Sequence, residues 1–588
     1  MKTTKVYLMM FICLIALIGC SEDDDVISSD ELTVTNISVS VEDSVYVVLS
    51  GDYKKSESFT FTYADDWVVT GFKDSLFTIS QKSGKAGDNT ITISAKDYNC
   101  SDTLCTTTFS VTPVNKNDIA KINVCVLQKP AFGLDEMNIQ VSPEGDTLHL
   151  KFNTDIEINE SLIFVGNDFM MEKSTIEGNN IEIIIKPNVT DKIIHGAFCI
   201  TMKDNDGKLI HSGFCNIEQP TMSSVSKDMY TEDGKVTRLL SHTKGKGIPI
   251  VIMGDGFLDV DITSGRYRSA TKKAADAIFD RYPMSCLKDY FDIYEVTAVS
   301  HNNYFSDLSS TAFGCRYADR RTIDSHWGKI VDYACKAIDE NRLKDAVILT
   351  LLNDSVYAGS CMMHSECEVS DIPSGWSIAC LPVGDSNFEY TINHEVVGHG
   401  FAKLADEYIE FEGEIPYDEI EYTKTYQSYG FYRNLTFSND VTKSYWAKLA
   451  ADSRYAHEKL GCYEGGRYYP KGVWRPTDDS VMNGFVECFN AIGRLMIYKR
   501  CMNIAYGDKW KFDYEDFVNF EKANAQMYAS SSKAKTRSAS KKTFRLMRAN
   551  CGKPKNKSVK LMEVIVEKKR IFILLVNSSP VTLYHVVV

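Results

Sequence analysis

The spacing of apolar residues in this chain changes once, near residue 235, and the change sets what each half can fold into. Upstream the apolar residues recur with period two. Phe59-Thr60-Phe61-Thr62-Tyr63, Thr90-Ile91-Thr92-Ile93-Ser94 and Leu148-His149-Leu150-Lys151-Phe152 alternate, as strands with one buried face do. Gly and Asp clusters between such runs mark turns. Downstream, Ile248-Pro249-Ile250-Val251-Ile252-Met253 and Ala346-Val347-Ile348-Leu349-Thr350-Leu351-Leu352 are apolar almost throughout, the pattern of strands buried on both faces. Helical stretches near 265–279 and 326–340 alternate with them, and Phe291-Asp292-Ile293-Tyr294-Glu295-Val296 is strand-like. The expected fold is multidomain: N-terminal all-β sandwich modules, then an α/β domain with a mainly parallel or mixed sheet.

The boundaries follow from the same pattern. Residues 36–129 form one sandwich and 130–222 a second. The second closes with Cys215-Asn216-Ile217-Glu218-Gln219-Pro220, which echoes Val126-Leu127-Gln128-Lys129-Pro130. Trp67, Phe77-Thr78-Ile79-Ser80 and the closing strand Ile122–Gln128 of the first module resemble BACON-type β-sandwich modules. The α/β domain spans 235–530. In the tail, 531–588, two apolar stretches, Ile571–Val576 and Val581–Val588, flank Asn577-Ser578-Ser579-Pro580, which reads as a turn; the tail is either a β-forming addition, such as a terminal hairpin, or a translated frameshift, with no role assigned to it.

The first twenty residues read as a targeting signal. Lys2 and Lys5 precede an apolar run, Val6–Ile18, too short to span a bilayer. Leu17-Ile18-Gly19-Cys20 resembles a bacterial lipoprotein cleavage site, which implies lipid on Cys20. The acidic linker 21–35 opens with Ser21-Glu22-Asp23-Asp24-Asp25, similar to the tag that sends some Gram-negative lipoproteins to the outer face. The expectation is an exported lipoprotein of the outer membrane, exposed at the cell surface and bound to the membrane through Cys20. A formal net charge of −14 argues against nucleic acid as a partner, which would need clustered Lys and Arg. Of seventeen cysteines, Cys13 leaves with the signal and Cys20 takes lipid; the rest show no spacing that defines a disulfide framework and no CxxC zinc knuckle.

The chemistry concentrates in His394-Glu395-Val396-Val397-Gly398-His399, followed by Leu404-Ala405-Asp406-Glu407-Tyr408. Neutral imidazoles suit Zn²⁺ and an adjacent carboxylate suits a base. The common zinc-peptidase motif sets its two histidines four apart. Here they are five apart, roughly 140° around an ideal α-helix, so both can reach one ion only if the helix departs from α geometry. A π-bulge is the expected remedy, with Gly398 supplying unusual dihedrals. A helix ending soon after its second His can return a carboxylate to the metal; Asp406 is the favoured third ligand and Glu407 the alternative, either of which could instead cap or orient. Tyr408 is a candidate oxyanion partner, Met482 in Asp479-Ser480-Val481-Met482-Asn483 a candidate turn beneath the metal, and Asp255 a loop-structuring carboxylate.

Gly254-Asp255-Gly256-Phe257, Lys288-Asp289-Tyr290-Phe291-Asp292-Ile293-Tyr294, Thr311-Ala312-Phe313-Gly314 and the His-Glu segment through Tyr408 occur in this order. Together they resemble peptidase M64, the zinc metalloendopeptidases named for an immunoglobulin A-cleaving member. The resemblance covers about half the chain, and the five-residue spacing departs from many members. It implies an α/β zinc-peptidase domain that hydrolyses peptide bonds of extracellular proteins. Zn²⁺ on His394, His399 and Asp406 would activate water, with Glu395 as general base. The alternative is a surface binding or adhesion lipoprotein whose peptidase domain is degenerate; an intact His-Glu-His set argues against it.

Overall fold

The computed structural model describes residues 38–39, 44–527, 560–566 and 569–575, apart from 74, 115–120, 155, 157–162, 166–169, 228–229, 319–320, 485 and 487. The signal, Cys20 and the acidic linker lie outside the described residues. Among the described residues no helix is long and apolar enough to cross a membrane.

The period-two segments form two sandwiches. In the first, a four-stranded sheet containing Ser56–Tyr63 and Gly87–Ala95 faces a five-stranded sheet containing Cys105–Pro113 and Ile122–Gln128. Phe59, Phe61, Trp67, Ile93 and Val126 fill the space between. The second repeats the plan: Asp146–Thr154 and Asn180–Ile185 lie in one sheet, Ile194–Lys203 and Cys215–Gln219 in the other, around Phe152, Ile183, Ile200 and Ile217. It meets the α/β region at Glu218, which is 2% exposed. Glu218 Oε1 accepts from Tyr304 Oη at 2.9 Å, Ser306 Oγ at 3.0 Å and Gln140 Nε2 at 3.2 Å, so the carboxylate is satisfied although buried.

The α/β region is built on six strands: β1 (Val236–Leu240), β2 (Ile248–Asp255), β3 (Phe291–Val296), β4 (Val347–Leu352), β5 (Ser360–Met363) and β6 (Ser377–Pro382). Their order is β1-β3-β2-β4-β6-β5. The inner four are parallel and the two edges antiparallel, so the sheet is mixed. Residues of β2, β4 and β6 are buried throughout, which is why they lack alternation. Helix α1 (Arg266–Ile278) and helix α2 (Ala491–Tyr506) join one apolar core with β2, β3 and β4. At the end of β2, Asp255 is 0% exposed. It accepts from Phe313 N at 3.0 Å, Cys315 N at 2.9 Å and Thr311 Oγ1 at 2.9 Å, and so ties down the loop after β3.

A separate unit, 532–588, contains an antiparallel hairpin of Lys560–Val566 and Lys569–Leu575. The expected turn at Asn577–Pro580 lies outside the described residues. Ile571–Leu575 pairs backward across a two-residue connection, the commonest hairpin length. Residues 576–588 lie outside the described residues.

Candidate metal centre

The segment carrying both histidines is helical but not α-helical. A short α-turn, Phe388–Thr391, passes into a π-helix over Ile392–Phe401. A π-helix bonds i to i+5, so residues five apart stack on one face. The departure needed to align His394 with His399 is thus spread over ten residues rather than confined to one bulge. The π-helix packs on β4, β5 and β6 and against α1 and α2, with Ile392, Val396, Val397 and Phe401 in the core.

Gly398 does not work as expected. It is absent from the residues with positive φ, so no unusual dihedral calls for glycine. What calls for it is space: a Cβ at Gly398 would sit 2.3 Å from Met482 Sδ. Met482 is 1% exposed and its sulfur fills the space beside the helix there. Gly398→Val should push Met482 aside in a filled core, destabilise the domain by about 1–3 kcal/mol and weaken metal binding more than Val397→Ala does. Thermal melts and zinc titration of both variants check this; equal effects on zinc would contradict it.

Each imidazole has its Nδ1 committed. His394 Nδ1 lies 2.9 Å from Val481 O and His399 Nδ1 lies 2.8 Å from Leu404 O. Carbonyls only accept, so both Nδ1 atoms carry the proton and both Nε2 atoms are left as donors to a metal. After Phe401 the chain reverses through Lys403, at φ +56°, and returns Asp406. Its Oδ1 stands 2.9 Å from His394 Nε2 and 3.1 Å from His399 Nε2, and the two Nε2 atoms are 3.2 Å apart. Asp406 Oδ2 accepts from Tyr468 Oη at 2.6 Å. His394, His399 and Asp406 are a buried group that could hold a metal ion. A tetrahedral ion with bonds of about 2.0–2.1 Å needs donors about 3.3 Å apart; the triangle is slightly tighter than that and of the right shape.

Glu407 faces elsewhere. It is 0% exposed and accepts from Ser480 Oγ at 2.5 Å, Asn434 Nδ2 at 2.9 Å and Asn490 Nδ2 at 3.2 Å. Its own N–H donates to Met482 O at 2.8 Å. Glu407 therefore holds the Met482 turn against the metal loop. Val481 O, in the same turn, also accepts from Tyr390 Oη at 3.0 Å.

Glu395 is 9% exposed and adjoins the triangle. The chain just before β5 comes so close that a Cβ at Gly359 would lie 2.8 Å from Glu395 Oε1. Burial pushes the Glu395 carboxyl above its usual range, against the opposing pull of the two histidines. For the histidines burial acts downward, but the Asp406 carboxylate outweighs it and holds both above the usual value, His399 at about 9. Asp406 is held well below the carboxylate range; burial opposes this and the two imidazoles overcome it. The ring of Tyr408 is 6.2 Å from that of His394 and 5.3 Å from that of Tyr468. Tyr468 is the residue the sequence does not announce. It lies 62 positions beyond Asp406, and the only local signal is the Gly465-Gly466 pair before it, which marks a turn.

Comparison with known proteins bears on the two halves differently. No curated protein matches the chain significantly. Among solved structures, the chain is similar to the endo-fucoidan hydrolase MfFcnA4 of glycoside hydrolase family 107 at 10% identity, over 32% of this chain and 27% of that one, with a TM-score of 0.12. It is similar to domains 5-6 of the S-layer protein SbsC at 13% identity, over 31% and 97%, with a TM-score of 0.12. It is also similar to the tandem Ig repeats of Dlar at 12% identity, over 30% and 94%, with a TM-score of 0.13. This chain thus spans about a quarter of the fucoidan hydrolase's length, and at such TM-scores these likenesses carry no argument. The α/β region is different: residues 239–455 match the family model described as IgA Peptidase M64. That span includes His394, Glu395, His399 and Asp406, so the candidate metal group lies within the stretch of this chain that is similar to peptidase M64.

Proposed function

We propose that this chain is a zinc-dependent peptidase that cleaves peptide bonds in extracellular proteins. The observation that carries the reading is the convergence of His394 Nε2, His399 Nε2 and Asp406 Oδ1 within 3.2 Å of one another, with both Nδ1 atoms already engaged. Two nitrogens and one carboxylate oxygen, buried, match catalytic zinc, which keeps a fourth position open. When bound, zinc supplies a Lewis acid that polarises the scissile carbonyl and acidifies water.

The chain's own groups do the rest. Val481 O and Leu404 O fix the imidazole rings, and Tyr468 fixes Asp406 through its second oxygen. Glu395 takes the proton of the attacking water on its carboxylate and delivers it to the leaving amine. Tyr408, whose ring lies 6.2 Å from that of His394, is the candidate to donate its hydroxyl proton to the oxyanion that develops on the carbonyl. The β-sandwiches then hold the domain away from a membrane to which Cys20 is anchored. A radiolabelled lipid precursor should mark the wild type and not Cys20→Ala; an unlabelled wild type would remove the anchor from this picture.

A generic peptide library tests the activity. Cleavage that is abolished by a chelator and restored by zinc supports it. A zinc-loaded, folded chain that cleaves nothing would favour the surface-binding alternative.

A further inference from the structure

Lys403 and Arg500 are each 0% exposed, and their charged ends reach consecutive carbonyls just before β6. Lys403 Nζ donates to Trp376 O at 2.9 Å, and Arg500 Nη2 donates to Gly375 O at 2.7 Å. Aromatic rings cover both: Phe431 lies 5.6 Å from Lys403 Nζ and Phe401 lies 5.5 Å from Arg500 Cζ. Among the described residues no carboxylate stands within ion-pair distance of either cation. Asp345, the acidic group that acts on Arg500, is already paired with Arg342 at 3.3 Å. Arg500 Nε and Nη1 are buried and bond to no protein atom. A buried guanidinium with two unserved donors, beside a buried amine whose positive charge is disfavoured first by burial and then by Arg500 itself, is strongly unfavourable unless something compensates.

We propose that a small monovalent anion of the halide class binds between Arg500 and Lys403. A water molecule would accept the spare hydrogen bonds but leave the charge. A chloride ion answers both needs, and it sheds its water more cheaply than phosphate or a carboxylate would in a setting walled by Phe401 and Phe431. Lys403 lies between His399 and Asp406 in sequence, and its carbonyl accepts from Tyr432 N at 2.8 Å. The anion would therefore tie the loop that delivers Asp406 to α2 and to β6.

The test uses the full chain at constant ionic strength, with sodium chloride replacing sodium gluconate. The melting temperature should rise by about 3 °C at chloride tenfold above its Kd, with bromide equivalent. Crystals grown in bromide should show an anomalous peak within hydrogen-bonding reach of Arg500 Nε or Nη1. Lys403→Met should weaken the chloride response about tenfold, and Arg500→Met should abolish it. Should Arg500→Met fail to fold, Lys403→Met and the bromide peak in the wild type decide. A melt indifferent to chloride, with no bromide at Arg500, would overturn the proposal and leave water there beside a neutral Lys403.

Discussion

Glu395→Gln should keep the zinc and the fold and lower kcat/KM by about 10²–10⁴-fold, the usual contribution of a general base. Glutamine has the size of glutamate, so the close approach of Gly359, where a Cβ would stand 2.8 Å from Glu395 Oε1, is undisturbed. What is lost is the ability to hold a proton on that oxygen. Zinc stoichiometry, a thermal melt and kcat/KM on one cleaved peptide are the three readings. If zinc leaves together with activity, Glu395 belongs to the ligand set or to the support of the helix, and the base must be sought elsewhere.

Asp406→Ala should be the most damaging change at the metal. It removes the one carboxylate between the two imidazoles, 2.9 and 3.1 Å from their Nε2 atoms, and leaves two neutral nitrogens to hold the ion. Tyr468→Phe removes only the hydrogen bond to the carboxylate's other oxygen, 2.6 Å long, a supporting contact of the kind worth about 10–100-fold in metal affinity. Asp406→Ala should exceed that range. Competition with a chelator of known affinity measures both. Tyr468→Phe costing as much as Asp406→Ala would mean that Asp406 acts by orienting the histidines rather than by binding metal.

The parts of this site legible in the sequence are those whose chemistry is local. His394 and His399 stand out in the sequence as possible ligands of one metal, and the structure does bring them together with Asp406; the five-residue spacing demands a non-α helix by geometry alone. How far the π-helix runs is set by the sheet and helices packed on it, which the sequence does not display. Gly398 reads as a dihedral requirement and turns out to be a steric one, because Met482 arrives from a turn more than eighty residues away. Asp406 and Glu407 are indistinguishable as neighbours in sequence; they separate only when Ser480, Asn434 and Asn490 claim Glu407. Val481 O and Leu404 O, which fix the ring tautomers, leave no trace at all, since every residue has a carbonyl. In the fold, alternation gave the sandwiches because one face of each strand is wet, and unbroken apolar runs gave β2 and β4 because neither face is. In the tail, Ile571–Leu575 pairs with the strand before it, Lys560–Val566, a partner its apolar run alone does not specify.

Diffraction from zinc-loaded crystals on either side of the zinc absorption edge tests the metal centre most directly. One anomalous peak is expected, about 2.0–2.1 Å from His394 Nε2, His399 Nε2 and Asp406 Oδ1. Zinc bound elsewhere with those three side chains still in mutual contact, or a regular α-helix through 394–399 with the rings diverging, would contradict it.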